Sequence, residues 1–209
     1  IILEYLEKHN LTEILQFKND YNNTPIHYYC YYNKSQESLK IILEYLEKHN
    51  LTKILQLKNH YNNTPIHIFC YYNESPESLK IILEYLEKHN LTKILQLKNN
   101  NNDTPIHNFC CNNKSPESLA IILEYLEKHN LTEILQLENN YYKTPFCILS
   151  SNNEELTEIF LEFICKLDKK IKMDICLSII DCSKLRNVNN EYIEIIKEIV
   201  ESSIKSVEI

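Results

Sequence analysis

The sequence contains no glycine at all. A glycine-rich phosphate loop is therefore excluded, and with it the nucleotide chemistry such loops serve. Turns that require a left-handed residue must use asparagine, the next-best choice. Positive charge is also short: 22 Lys and Arg stand against 29 Asp and Glu, a formal net charge of −7. A phosphate backbone is gripped through a basic stripe, so no nucleic acid is expected as a partner. No apolar run reaches the length of a membrane span, and the opening residues do not read as a signal peptide, so no membrane is expected either. Methionine occurs once, at Met173, and the chain opens at Ile1. Together these lead us to expect further sequence upstream, where targeting signals would lie.

What is present suffices for a core. Of 209 residues 44% are apolar, with 15 Tyr and 6 Phe, so wholesale disorder is not expected. Eight cysteines in a secreted chain would suggest disulfides. Cys30, Cys70 and Cys110, however, recur at one equivalent position every 40 residues. Stacked helices lie about 8–10 Å apart, beyond disulfide reach, so reduced thiols in the cytosol or nucleus are expected. Triplets such as Asn50-Leu51-Thr52 and Asn33-Lys34-Ser35 read as products of an Asn-rich composition rather than glycosylation sites.

The dominant feature is a repeat. Residues 1–40 and 41–80 agree at 33 of 40 positions, and 41–80 and 81–120 at 32. A period of this regularity predicts an array of like units. Each unit carries two helical signals. Thr24-Pro25 opens the first, with Thr as N-cap and Pro at the first helical position. Ile26, Tyr29 and Cys30 follow at helical spacing as a buried face. Ser35 opens the second helix, whose stripe is Leu39, Ile42, Leu43 and Leu46. Lys48 and His49 suit its C-terminal dipole, and Asn50 takes the position just beyond it. Leu51 to Leu57 adds a short helical turn. Asn10, Asn50, Asn90 and Asn130, and Asn22, Asn62 and Asn102, occupy two fixed turn positions where glycine would otherwise serve.

Thr-Pro-Ile-His, a helix, a loop and an Ile-Leu-Glu-Tyr-Leu helix together resemble the ankyrin repeat, whose hallmark is T-P-L-H. The resemblance runs from residue 1 to about 170. It implies an all-α fold, an ankyrin-like helical solenoid of stacked helix–loop–helix repeats. On that reading 1–20 is an orphan outer helix and loop of a truncated repeat. Three near-identical repeats fill 21–140, a degenerate fourth fills 141–170, and 171–209 forms a C-terminal helical cap. The motif residues are Thr24, Pro25 and His27; Thr64, Pro65 and His67; Thr104, Pro105 and His107; and Thr144 with Pro145. The fourth unit has Cys147 for histidine and Tyr142 for the turn asparagine, and is expected to be distorted. The last unit would comprise helices near Met173–Ser183 and Ile195–Ile199, made polar by Lys169, Lys170, Lys172, Lys184 and Arg186.

His27-x-x-Cys30 and its copies raise two chemical alternatives. A zinc site needs about four convergent ligands, and each unit supplies two, with the next pair a repeat away. In the resembled family this histidine braces the loop and the neighbouring repeat, while the cysteine fills a small core position, and no metal or other cofactor is expected. A Cys–His nucleophile pair is the other alternative. Near-identical copies do not make a unique active site, so no catalysis is expected.

The informative positions are those where the copies differ. Position 28 is Tyr, then Ile68, then Asn108. Tyr31-Tyr32 becomes Tyr71-Tyr72, then Cys111-Asn112. Asp20-Tyr21 becomes His60-Tyr61, then Asn100-Asn101. In ankyrin-like arrays these places line the concave groove and its finger tips. The expected partner-binding set is therefore Tyr21, Tyr28, Tyr31, Tyr32, Tyr61, Ile68, Tyr71, Tyr72, Asn108 and Asn112. Tyrosine is enriched in interface anchors, whereas drift after duplication would also leave exposed positions variable. A non-catalytic, monomeric scaffold is expected. Its partner would be a protein of neutral or basic surface, given the net charge. The alternative is a structural spacer within a larger protein.

Overall fold

The computed structural model describes residues 2–32, 34–183 and 189–205. Asn33 of one Asn-x-Ser triplet, and Lys184 and Arg186 of the expected polar end, lie outside them. Among the described residues there are eleven α-helices and no strand. They are α1 (Ile2–Lys8), α2 (Pro25–Tyr32), α3 (Gln36–Lys48), α4 (Pro65–Tyr72), α5 (Pro76–Lys88) and α6 (Pro105–Asn112). Then follow α7 (Pro116–Lys128), α8 (Pro145–Ser150), α9 (Glu154–Lys166), α10 (Lys169–Ser183) and α11 (Asn190–Lys205).

The second unit shows why the chain folds this way. Thr64 caps α4 reciprocally: its hydroxyl accepts from the His67 N–H at 3.4 Å, and the His67 ring accepts from the Thr64 N–H at 3.2 Å. Pro65 costs nothing at the first helical position, where no intrahelical bond is due. Ser75 caps α5 by accepting from the Ser78 N–H at 3.2 Å. The helix ends in a Schellman motif: the Leu91 N–H reaches the Leu86 carbonyl at 2.8 Å and the Asn90 N–H that of Glu87 at 3.1 Å. That closure forces a left-handed residue, and Asn90 adopts φ 55°. A 3-10 turn, Thr92–Gln96, leads to the next finger loop.

First helices pack on first helices, α2 on α4 on α6 on α8, and second helices on second, α3 on α5 on α7 on α9. Leu46, Leu86 and Leu126 are fully buried between them, with Ile54, Ile94 and Ile134 of the 3-10 turns beside the same core. Burial of each such side chain contributes on the order of 2 kcal/mol, an upper figure because unfolded chains already shield some apolar surface. The stripe Leu39, Ile42, Leu43 and Leu46 is buried as its spacing predicts, and Tyr45 joins it.

The second helices also carry a charge ladder. Lys48 Nζ lies 2.5 Å from Glu7, Lys88 2.6 Å from Glu47 and Lys128 2.8 Å from Glu87. His49, His89 and His129 approach the same carboxylates at 3.8, 3.6 and 3.4 Å. The hydrogen bond from Lys88, with its charge and that of His89, holds the Glu47 carboxyl below the usual range. These glutamates therefore bridge consecutive units.

The finger of the fourth unit keeps its backbone, and the distortion expected of this unit falls on its first helix instead. Tyr142 takes φ 55° like the asparagines it replaces, and Thr144 still caps its helix, accepting from the Cys147 N–H at 3.3 Å. Finger geometry is fixed by the residues around Tyr142, which over-determine an unfavourable conformation. What changes is length, with α8 only 6 residues. Beyond it α10 packs on α8, α9 and the 3-10 turn Thr132–Gln136, and α11 packs on α10. Helix α10 starts earlier than the expected Met173, since the Asp168 carboxylate accepts from the Lys170 N–H at 3.0 Å.

Candidate functional site

The finger loops are built on one asparagine per unit. Asn59 Oδ1 accepts from the Tyr61 N–H and the Asn63 N–H, both at 3.0 Å, closing the turn. Its amide Nδ2 then donates to Asn23 Oδ1 of the preceding finger at 2.8 Å. Asn99 and Asn139 repeat this, donating to Asn63 Oδ1 at 2.9 Å and Asp103 Oδ1 at 2.7 Å. Backbone bonds join the tips as well: the His60 N–H reaches the Tyr21 carbonyl at 2.9 Å and the Asn100 N–H that of Tyr61 at 3.0 Å. The asparagine richness is thus structural, since each copy uses donor and acceptor together.

Behind the fingers stand the motif histidines, all buried. His67 Nδ1 accepts from the Thr64 N–H, so that nitrogen is unprotonated, and Nε2 donates to the Asp103 carbonyl at 3.1 Å. His27 makes the same bonds to Thr24 and Asn63, and His107 to Thr104, Leu137 and Lys143. Burial holds all three rings below the ordinary histidine value, His67 at about 4. Both nitrogens of each ring are committed to hydrogen bonds, leaving no lone pair for a metal. Among the described residues no group of three His, Cys, Asp or Glu is placed to hold one. Cys30 is buried and its thiol is pushed up to about 12, away from the thiolate a nucleophile requires.

The surface between fingers and first helices is aromatic. Tyr31 touches Tyr72 of the next unit with ring centroids 4.3 Å apart, and Tyr32 at 4.6 Å. Tyr71 lies 4.8 Å from Tyr72, and Tyr28 stacks parallel to Tyr32 at 6.3 Å. Burial, then a hydrogen bond with Tyr31, raises the Tyr72 phenol to about 12. Two concavities adjoin there. One of about 290 Å³ is lined by Tyr28, Tyr31, Tyr32, Tyr61 and Ile68. The other, about 600 Å³, is lined by Tyr71, Asn108, Cys111, Tyr141 and Ile148. Ile68, Tyr72 and Asn63 belong to both.

No family model matches this chain, and no curated protein matches it. The geometry must therefore carry the functional reading alone.

Of the expected partner-binding residues, Tyr28, Tyr31, Tyr32, Tyr61, Ile68, Tyr71, Tyr72 and Asn108 line one or both concavities. Tyr21 sits at an exposed finger tip outside them. Asn108 and Asn112 also brace the stack, since their amides donate to the His67 and Tyr71 carbonyls of the preceding unit at 3.1 and 2.8 Å. The change from tyrosine to asparagine thus exchanges ring contacts for hydrogen bonds between neighbouring first helices. Sequence comparison of the first three units missed Tyr141, Ile148 and Asn152, which line the larger concavity from the fourth unit. Their alignment with Asn101, Asn108 and Asn112 was the available signal.

Proposed function

We propose that this chain is a non-catalytic, ankyrin-like solenoid that binds a protein partner through its tyrosine groove. The observation that carries this reading is the contact of four tyrosines across two units, Tyr28–Tyr32–Tyr31–Tyr72, at a concave surface. Tyr28, Tyr31 and Tyr32 remain 42%, 43% and 73% exposed. Clustered exposed aromatics of this kind mark interaction sites on folded proteins. Tyrosine presents a large amphipathic surface with few rotatable bonds, and its hydroxyls accept or donate at the rim. A standard interface would bury on the order of 800 Å² of this face. The net charge of −7 favours a neutral or basic partner surface. Among the described residues no helix is long and apolar enough to cross a membrane.

The test compares the parent with a variant carrying Tyr28→Ser, Tyr31→Ser, Tyr32→Ser, Tyr71→Ser and Tyr72→Ser, matched for helicity. Proteins captured by the parent are purified and their affinity for both chains measured by calorimetry. A partner whose affinity falls at least about hundredfold, as loss of interface anchors implies, supports the groove. Equal affinities for every captured protein would sink it and favour the spacer reading.

A further inference from the structure

Most features of the array recur from unit to unit and brace the stack, but one does not. At the seam between the first and second units, five tyrosine rings surround the concavity of about 290 Å³. Tyr28, Tyr31 and Tyr32 come from α2, Tyr72 from α4, and Tyr61 from the second finger. At the next seam Ile68 stands in the place of Tyr28, Asn101 in that of Tyr61 and Asn112 in that of Tyr72. The five-ring arrangement is therefore not repeated there. Described residues of both units bound the concavity, so it is a feature of the seam itself.

Its lining has a definite chemistry. Tyr28 and Tyr32 lie parallel within 4°, their centroids 6.3 Å apart, and Tyr31 meets Tyr72 across the seam at 4.3 Å. The rings are held by their hydroxyls. Tyr28 Oη accepts from Asn19 Nδ2 at 2.8 Å, and the Tyr31 and Tyr72 hydroxyls bond to one another. No Lys, Arg, Asp or Glu lines the concavity, Ile68 is its one aliphatic wall, and burial favours the neutral form of His27 behind it. The Lys18 ammonium, whose charge is felt at His27, is tied to the Lys58 carbonyl at 3.0 Å. Asn23 Oδ1 and Asn63 Oδ1 each accept one amide bond of the finger ladder, from Asn59 and Asn99. An amide oxygen has two lone pairs, so each keeps one for a donor from outside.

An aliphatic guest would meet one aliphatic wall and leave those acceptors unanswered. A carboxylate would face the negative faces of the rings. A cation is drawn to those faces, and a guanidinium adds a plane that stacks on them and five N–H donors for the acceptors. In the adjoining larger concavity the charged lining residues are Asp103 and Lys143, one of each sign. Selection for charge therefore falls on the tyrosines.

We propose that the five-tyrosine concavity is an arginine subsite, taking the guanidinium of one arginine in an extended segment of the protein partner. The proposal rests on the reading of the groove as a protein-binding surface, and adds which side chain the groove selects. The net charge of −7 favours approach of a basic segment. Through Ile68 and Tyr72, which belong to both concavities, the segment runs on toward the third unit.

The test selects binders to the full chain from a displayed library of short random peptides. Peptides that bind equally to the variant with the five groove tyrosines changed to Ser are discarded. Those retained are synthesised with each arginine replaced by citrulline, a neutral analogue of the same shape, and affinities are measured by calorimetry. The expected result is one recurrent arginine whose citrulline analogue binds about tenfold more weakly. Tyr32→Phe should bind within about twofold of the parent, and Tyr32→Leu about tenfold more weakly, because leucine keeps apolar area but has no ring face. Retained peptides with lysine or an aliphatic residue in that place would overturn the arginine subsite while leaving the groove a protein-binding surface. Equal affinity of the citrulline analogues, or of Tyr32→Leu, would do the same. A library that yields no groove-dependent peptide would count against the groove itself and remove the subsite with it.

Discussion

His67 Nε2 donates to the carbonyl oxygen of Asp103, 36 residues further along the chain, across 3.1 Å. The other nitrogen of the same ring, Nδ1, accepts from the Thr64 N–H, so one buried side chain caps its own helix and fastens the next finger. Replacing His67 with Ala leaves the Thr64 N–H and the Asp103 carbonyl short of partners in a buried site. The expected cost is about 2–4 kcal/mol, read as a lower urea midpoint with little change in slope. An equal midpoint would show that water replaces the ring without penalty.

Acid should destabilise the array through the same rings. An unfolded histidine titrates near its ordinary value of about 6.5, while burial holds folded His27, His67 and His107 below it, His67 at about 4. Between those values the unfolded chain binds protons that the folded chain refuses, so stability falls as pH falls. For His67 the loss begins near pH 6.5 and is complete below about pH 4, amounting to about 3 kcal/mol. Glu47 and Glu87, held low by Lys88 and Lys128, extend the decline to lower pH in the same direction. Urea midpoints should be nearly level from pH 7.5 to about 6.5 and then drop steadily to pH 5, and His67→Ala should flatten the profile. A parent midpoint that is level across this range would contradict neutral buried rings.

Much of this was legible in the sequence because repetition multiplies weak signals. Thr64-Pro65 and Ser75 announce helix starts by local capping chemistry, and Asn62 and Asn90 announce left-handed turns in a chain with no glycine. What sequence did not disclose were contacts between units. The pairing of Glu47 with Lys88 needs the stacking geometry, since two residues 41 apart become neighbours only when helices pack in register. The tolerance of Tyr142 for φ 55° was likewise invisible, because tertiary contacts override local preference there. At the groove, the variable positions point to Tyr28, Tyr31 and Tyr32 as surface, and these three are exposed. Asn108 and Asn112 read as ligand contacts until their amides are seen on neighbouring carbonyls.

The left-handed asparagines make a prediction about backbone alone. Asn90 has φ 55° and closes α5 without a side-chain partner among the described residues. Asn90→Ala should cost about 1 kcal/mol, because a Cβ without a compensating polar group disfavours that conformation. Asn90→Gly should change stability by less than about 0.5 kcal/mol, as relief of strain offsets the added freedom of the unfolded chain. Thermal unfolding of the two variants against the parent measures the difference. Equal destabilisation by Ala and Gly would mean that the asparagine amide, not its φ, is what matters.

Cysteine reactivity should sort the thiols by place in the stack. Cys30, Cys70 and Cys110 are buried between units, and burial raises all three, Cys30 to about 12. Cys165 on α9 is exposed, and Cys111 is exposed but raised by partial desolvation. A short pulse of iodoacetamide at about pH 8, followed by peptide mapping, should label Cys165 first and Cys111 more slowly, because the thiolate is the reactive form. Cys30, Cys70 and Cys110 should label only at the rate at which neighbouring units separate. Comparing their rates then measures the stability of each interface directly. Cys30, nearest the exposed α1 face, should react faster than Cys110, which has units on both sides. Identical slow rates at all three would instead mean that the array opens only as a whole.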